Sequence, residues 1–173
     1  MQTFATSPSR HHPQGRSLPI FSYDQKEKLK QSYDFLGINY YTSNYAQIYN
    51  PSDISDGFLM DCHYKALVKD PEGKYIGQPA FEGSWVYLCP DELVYLLEYI
   101  KKTYNVQKNM VITENGAPEK NDSGKTYEQV RDDAYRLKYI KLHIKAIKEA
   151  RSKGINVMGY FVWSFTDSFE WNS

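Results

Sequence analysis

Net charge is what this 173-residue chain lacks first: Lys and Arg number 21, Asp and Glu number 21, and the formal total is zero. Without a net field there is no long-range steering toward nucleic acid or an anionic membrane. Arg10 and Arg16 near the N-terminus are too sparse to form a basic patch. No apolar run approaches the roughly 18 residues that a membrane helix needs. The segment after Met1, QTFATSPSRHHPQGRS, has basic residues but no apolar stretch of the kind a signal peptide carries. The expectation is no nucleic acid, no membrane, and a cytoplasmic location by default. Cysteine is scarce as well. Cys62 and Cys89 form no CxxC and no zinc spacing, and one pair cannot define a disulfide framework, so a reducing compartment is the default. His11 and His12 lie in an aperiodic stretch, while His63 and His143 stand alone, so no metal site is expected. Neither GxGxxG nor GxxxxGK[ST] occurs, which removes nucleotide binding, and no cofactor is expected. Asn121-Asp122-Ser123 is a glycosylation sequon, read as an ordinary loop in the absence of an entry signal.

Aromatic residues, in contrast, are plentiful. They reach 16% of the chain, with 16 Tyr, 8 Phe and 3 Trp, inside a composition that is 41% hydrophobic and 24% charged. Such a balance belongs to folded globular domains rather than disordered chains. Tyr and Trp in excess of core needs suit surfaces that are apolar on one face and hydrogen-bonded on the other, as in sugar and ligand clefts. By length the chain is one domain or a piece of a larger one.

Residues 1–17 are rich in Ser, Pro, His and Arg and are read as a flexible N-terminal arm ahead of a domain over 18–173. Ser22 with Gln25 forms a capping-box pattern that opens a charged helix over 23–33. DFLGINYY (34–41) reads as a strand, and the stretch 42–88 shows Gly, Pro and Asp punctuation without a sustained period. A connection that long is uncommon unless it serves function. From Pro90, the apolar positions Leu93, Leu96, Leu97, Ile100 and Tyr104 have helical spacing. The strand MVIT (110–113) follows. Thr126 with Gln129 repeats the capping box, and Val130, Ala134, Leu137, Ile140, Ile144 and Ile147 predict one face of a single helix ending near Gly154. INVMGYFVW (155–163) reads as a last strand. Short apolar strands separated by amphipathic helices predict a parallel α/β sheet. Right-handed crossovers then put both later helices on one face. Nothing obvious is left to cover the other face.

Parallel α/β proteins place their chemistry at the carboxyl ends of strands. Three clusters sit there: Asn39-Tyr40-Tyr41-Thr42, Thr113-Glu114-Asn115-Gly116, and the run from Trp163 through Glu170 to Trp171. TENG and NYYT are each compatible with an ordinary turn. The third cluster is more specific, because Trp163, Glu170 and Trp171 pair flat apolar faces with an acceptor for adjacent hydroxyls.

Together VITENG (111–116), DFLGINYYT (34–42) and GYFVWSFTDSFEW (159–171), in this order, resemble the C-terminal part of a plant β-glucosidase of glycoside hydrolase family 1. The tone is nearest to the plant enzymes acting on defence or alkaloid glucosides. The resemblance covers about 18–171, on the order of a third of a (β/α)8 TIM barrel. It implies an incomplete barrel holding the last three strands, the sixth to the eighth, with their helices. It further implies Glu114 as catalytic nucleophile and Tyr41 as the group that orients it. Asn39, Trp163, Glu170 and Trp171 would contact glucose, and Trp85 would wall the aglycone pocket. The substrate class would be β-glucosides, cleaved with retention by two carboxylates about 5–5.5 Å apart. The family's acid/base Glu belongs to a TxNEP-like motif, and no NEP occurs in these residues. Ser168 stands where the common family form has Asn. Without general-acid help worth about 10²–10⁴-fold, the chain alone is expected to hydrolyse negligibly. Three strands cannot close a barrel, so open edges and an uncovered face are expected to favour instability or association. Two functions from different classes follow: a β-glucosidase represented by a fragment, or an inactive chain that associates with a full-length β-glucosidase and modulates it.

Overall fold

The computed structural model describes residues 20–48, 64–120 and 124–168. The expected arm over 1–17 lies outside them. The chain divides into two compact units, one of residues 1–33 and 47–65, the other of residues 34–46 and 66–173.

In the first unit, helix α1 (Tyr23–Gln31) starts where the capping box predicts. Ser22 Oγ accepts from the Gln25 amide at 3.3 Å, and Gln25 Oε1 accepts from the Ser22 amide at 2.8 Å. The helix ends two residues earlier than expected, where the Ser32 amide and hydroxyl both donate to the Leu29 carbonyl.

The second unit carries a parallel sheet of β1 (Phe35–Asn39), β6 (Asn109–Asn115) and β7 (Val157–Val162), in the order β1-β6-β7. Helix α2 (Pro90–Tyr104) links β1 to β6, and α4 (Ala134–Ser152) links β6 to β7. Both lie on one face, as right-handed crossovers require. The core interleaves Leu93, Val94 and Leu97 of α2 and Ala146, Ile147 and Ala150 of α4 with Ile38, Met110, Ile112 and Val157 of the sheet. Alternate strand positions point the other way. Phe35 and Phe161, on the uncovered face, are 50% and 61% exposed. The expectation of a one-sided sheet is therefore met among the described residues.

Two readings of the sequence need correction. The stretch 42–88 is not without regular structure: it contains β2 (Tyr45–Ile48) paired with β3 (Tyr64–Leu67), and β4 (Gln78–Pro79) paired antiparallel with β5 (Tyr87–Leu88). Strands of two to four residues are too short to show a period. The single helix expected after Thr126 is two helices. Its capping box opens only the short α3 (Tyr127–Arg131), and Asp133 then caps α4 by accepting from the Arg136 amide at 3.3 Å. The break shifts the face. Tyr139, His143, Ala146, Ile147 and Ala150 are buried, whereas Val130, Leu137 and Ile144 of the predicted stripe are exposed.

His143 is fully buried, its ring 4.1 Å from that of Tyr139 and 5.7 Å from that of Tyr40. Nδ1 donates to the Tyr139 carbonyl at 2.8 Å, and Nε2 has no hydrogen-bond partner among the described residues. Burial disfavours the imidazolium and lowers the pKa from 6.5 to about 4. The unfolded chain thus takes up a proton near pH 6.5 while the folded chain resists until near pH 4. Stability contributed by the neutral ring is complete above pH 6.5 and lost as pH falls toward 4, by about 3 kcal/mol at most. Urea midpoints at pH 7 and 4.5 will show a drop, and His143→Leu will remove most of the pH dependence. Equal slopes in both proteins would contradict this assignment.

Candidate active site

The carboxyl ends of the three parallel strands meet just after a register shift in each pair, with Asn39 paired to Glu114 across β1 and β6, and Asn115 to Val162 across β6 and β7. Glu114 is half-buried at the end of β6. Its Oε2 accepts a 2.6 Å hydrogen bond from the Tyr41 hydroxyl, carried on the chain leaving β1. Beside it, the Thr113 hydroxyl donates to Asn39 Oδ1 at 2.6 Å. The sheet thereby brings Glu114, Tyr41 and Asn39 together from segments over 70 positions apart in sequence.

Trp85 lies in the turn between β4 and β5, its ring 5.6 Å from that of Tyr41. The turn is fixed from outside by Thr42, whose Oγ1 accepts from the Tyr87 amide at 3.0 Å, and from inside by Ser84, whose Oγ accepts from the Val86 amide at 3.1 Å. Trp85 is 63% exposed, so its ring is presented to solvent rather than packed in a core. Trp163 follows β7 directly and is joined to β6 by its amide, which donates to the Asn115 carbonyl at 3.0 Å. Its peptide bond to Ser164 is cis. Thr113, Phe161, Trp163, Ser164, Phe165 and Thr166 line a depression on the uncovered side of the sheet. Glu170 and Trp171 lie outside the described residues.

The group that the sequence reading missed is beneath the carboxylate. Asn115 is fully buried and hydrogen-bonded at both ends of its amide. Nδ2 donates to the Tyr40 carbonyl at 2.7 Å and to Tyr139 Oη at 3.1 Å, and Oδ1 accepts from Tyr160 Oη at 2.7 Å. Tyr139 Oη donates in turn to the Tyr41 carbonyl at 2.5 Å. Tyr40 Oη donates to the Cys89 carbonyl at 2.7 Å. Burial pushes the Tyr40 and Tyr139 phenols well above their ordinary range and Tyr160 up to about 12, so all three stay protonated donors near neutrality. Asn directly after Glu114 was the only sequence signal. Tyr139 and Tyr160 gave none, because a helix and a strand each offer many tyrosines.

Among the described residues no group of three His, Cys, Asp or Glu could hold a metal ion, and no helix is long and apolar enough to cross a membrane.

The described fold is a parallel α/β sheet with an acidic, aromatic-flanked site at its carboxyl edge, and residues 3–173 match Glycosyl hydrolase family 1. The chain belongs to that family. It is 40% identical over 162 residues to raucaffricine-O-beta-D-glucosidase of Rauvolfia serpentina, covering 91% of this chain and 29% of that enzyme. Against oleuropein beta-glucosidase of Olea europaea the identity is 39%, covering 91% and 28%. A rice beta-glucosidase superposes with a TM-score of 0.77 at 32% identity, over 89% of this chain and 32% of the other. The beta-glucosidase of Trichoderma harzianum gives 0.72 at 35% identity, over 89% and 32%. These structures are (β/α)8 barrels, and the described sheet of this chain corresponds to part of one, without closure. The chain thus spans under a third of the length of the curated relatives named here.

Proposed function

We propose that this chain carries the nucleophile half of a retaining β-glucosidase site, on the last three strands of a family 1 barrel. The observation that supports it is the 2.6 Å hydrogen bond from Tyr41 to Glu114, where β1 and β6 end side by side. A hydroxyl that donates to one carboxylate oxygen leaves the other free to attack and fixes its direction. In this reading Glu114 attacks the anomeric carbon of a β-glucoside. The bond to the aglycone oxygen breaks, the glucosyl ester forms on Glu114, and the departing oxygen takes a proton. Asn39 and Trp163 bound the sugar, Glu170 and Trp171 bind its hydroxyls, and Trp85 walls the aglycone. The 173 residues contain no NEP sequence to supply that proton. A leaving group that departs as a stable anion needs none.

The test uses this difference. Incubation with 2,4-dinitrophenyl 2-deoxy-2-fluoro-β-glucoside will add one fluoroglucosyl group to the peptide containing Glu114, and Glu114→Gln will not label. Tyr41→Phe will slow labelling about 10-fold, the scale of one lost charge-assisted hydrogen bond. Release of p-nitrophenol from its ordinary β-glucoside will stay at background. Label on another residue, or equal labelling of Glu114→Gln, would overturn the assignment. Rapid p-nitrophenol release abolished by Glu114→Gln would mean that another carboxylate serves as acid.

A second reading is favoured by the uncovered sheet face, where Phe35 and Phe161 are exposed. In it the chain is a non-catalytic modulator that associates with a full-length β-glucosidase. Co-purification decides: no association and no effect on the full-length enzyme's activity would remove this reading.

A further inference from the structure

We infer that Arg136 is a positioning residue that straps down the segment carrying Trp163. Resting on the proposed nucleophile site, the inference names the group that fixes one wall of it. Arg136 sits in the first turn of α4, outside the strand-end cluster. Its guanidinium meets carboxylates from three different segments. Nε donates to Asp133, the residue that caps the same helix. Nη1 donates to Asp167 Oδ1, and Nη2 to Asp167 Oδ2 at 3.4 Å. Nη2 also donates to Glu119 Oε2 at 3.3 Å. Glu119 lies on the chain leaving β6, five positions beyond Glu114, and is paired in addition with Lys125 at 2.7 Å. Asp167 lies on the chain leaving β7, four positions beyond Trp163.

Geometry separates this from a surface ion pair. Arginine offers five N–H donors in a planar fork, and here three of its nitrogens are engaged at once, two of them on a single carboxylate. The Arg136 side chain is only 23% exposed, while that of Asp167 is 78% exposed. The rigid partner is therefore the helix, and the held partner is the loop. Within Trp163–Ser168 the Trp163 amide donates to the Asn115 carbonyl at 3.0 Å, and Ser164 Oγ donates to the Thr166 carbonyl at 2.5 Å. Phe165 is fully exposed and gives that loop no core anchor. The strap to Arg136 is a long-range side-chain contact at the far end of this segment. Both loops that leave the carboxylate-bearing and tryptophan-bearing strands are tied to the same cation. In this reading one side chain restrains their separation at its far end, and with it the width of the sugar cleft bounded by Glu114 and Trp163.

The test combines hydrogen exchange and labelling kinetics on the full chain, with Arg136→Ala, Asp167→Asn and the double variant. Each single change will raise amide exchange in 163–168 by about fivefold or more while leaving 109–115 unchanged, because the strap governs local opening only. The double variant will match Arg136→Ala, since with the guanidinium gone Asp167→Asn has no strap left to remove. With the fluoroglucoside, the concentration for half-saturation will rise about 10-fold with little change in the saturated labelling rate, as expected when the competent loop state is less populated. Asp167 is exposed, so Asp167→Asn tests the strap even where Arg136→Ala unfolds the chain. Unchanged exchange in Asp167→Asn, additive effects in the double variant, or a loss confined to the saturated rate would overturn the inference. A chain that never labels overturns the nucleophile, and the exchange arm still decides the strap.

Discussion

Asn115→Ala is expected to lower the stability of the chain by about 4 kcal/mol. Each buried polar group left without a partner costs about 1–3 kcal/mol, and this substitution strands two. The Tyr40 carbonyl loses its 2.7 Å donor in a place with no exposed surface, and the Tyr160 hydroxyl, on a partly buried residue, loses its 2.7 Å acceptor. The Tyr139 hydroxyl loses one partner but keeps another in the Tyr41 carbonyl. A small cavity adds to the cost. Urea unfolding followed by far-ultraviolet circular dichroism measures it, and a loss below about 1 kcal/mol would show that the two stranded groups find other partners. Asn115→Asp sharpens the result. It keeps the shape, yet it presents a lone pair where Tyr40 requires a donor, so the isosteric change will destabilise comparably. A volume effect alone would spare it. The same hub also bears on the site, since Asn115 and Tyr139 hold the backbone of Tyr40 and Tyr41, from which the hydroxyl on Glu114 is aimed.

Which parts of this were legible from the residues depends on range. Ser22 with Gln25 and Thr126 with Gln129 acted within three positions, and both capping boxes formed as read. The aliphatic strands around Ile38, Val111 and Val157 were continuous enough to stand out, and so was the helix from Pro90. Helical phase was not readable across residues 132–133, because Asp133 caps a new helix there and the apolar spacing through Val130, Leu137 and Ile144 ran on regardless. At the site, Glu114 and Tyr41 came from the resemblance of short motifs to a known family. Their contact spans 73 positions, which no local pattern encodes. The supporting residues were hidden for the same reason. Tyr139 is one of 16 tyrosines, and Arg136 one cation in a Lys-rich helix, until the fold puts each beside its partners.

Gly116→Ala is expected to disturb the site and the sheet together, at a cost of about 3 kcal/mol, in the range of overpacked buried positions. A Cβ built at Gly116 would stand 1.9 Å from the Trp163 carbonyl oxygen and 3.0 Å from its carbon. These are backbone atoms, so no side-chain rotation relieves the clash. Either the end of β6 or Trp163 must move by about 1 Å to restore ordinary contact, since real Cβ atoms stay beyond 3.0 Å. The Trp163 amide is bonded to the Asn115 carbonyl, so movement of either partner stretches that 3.0 Å link. Gly37→Ala is the control on the neighbouring strand. Its Cβ would come 3.1 Å from Thr113 Cγ2, a side-chain methyl that can give way, and the cost there should stay below about 1 kcal/mol. Unfolding midpoints together with tryptophan emission separate the two variants. A small midpoint change and unaltered emission in Gly116→Ala would mean that Trp163 is not held against β6. The larger loss, with altered emission, would mean that the missing side chain at position 116 is what lets the Trp163 backbone stand against the end of β6, two positions after Glu114.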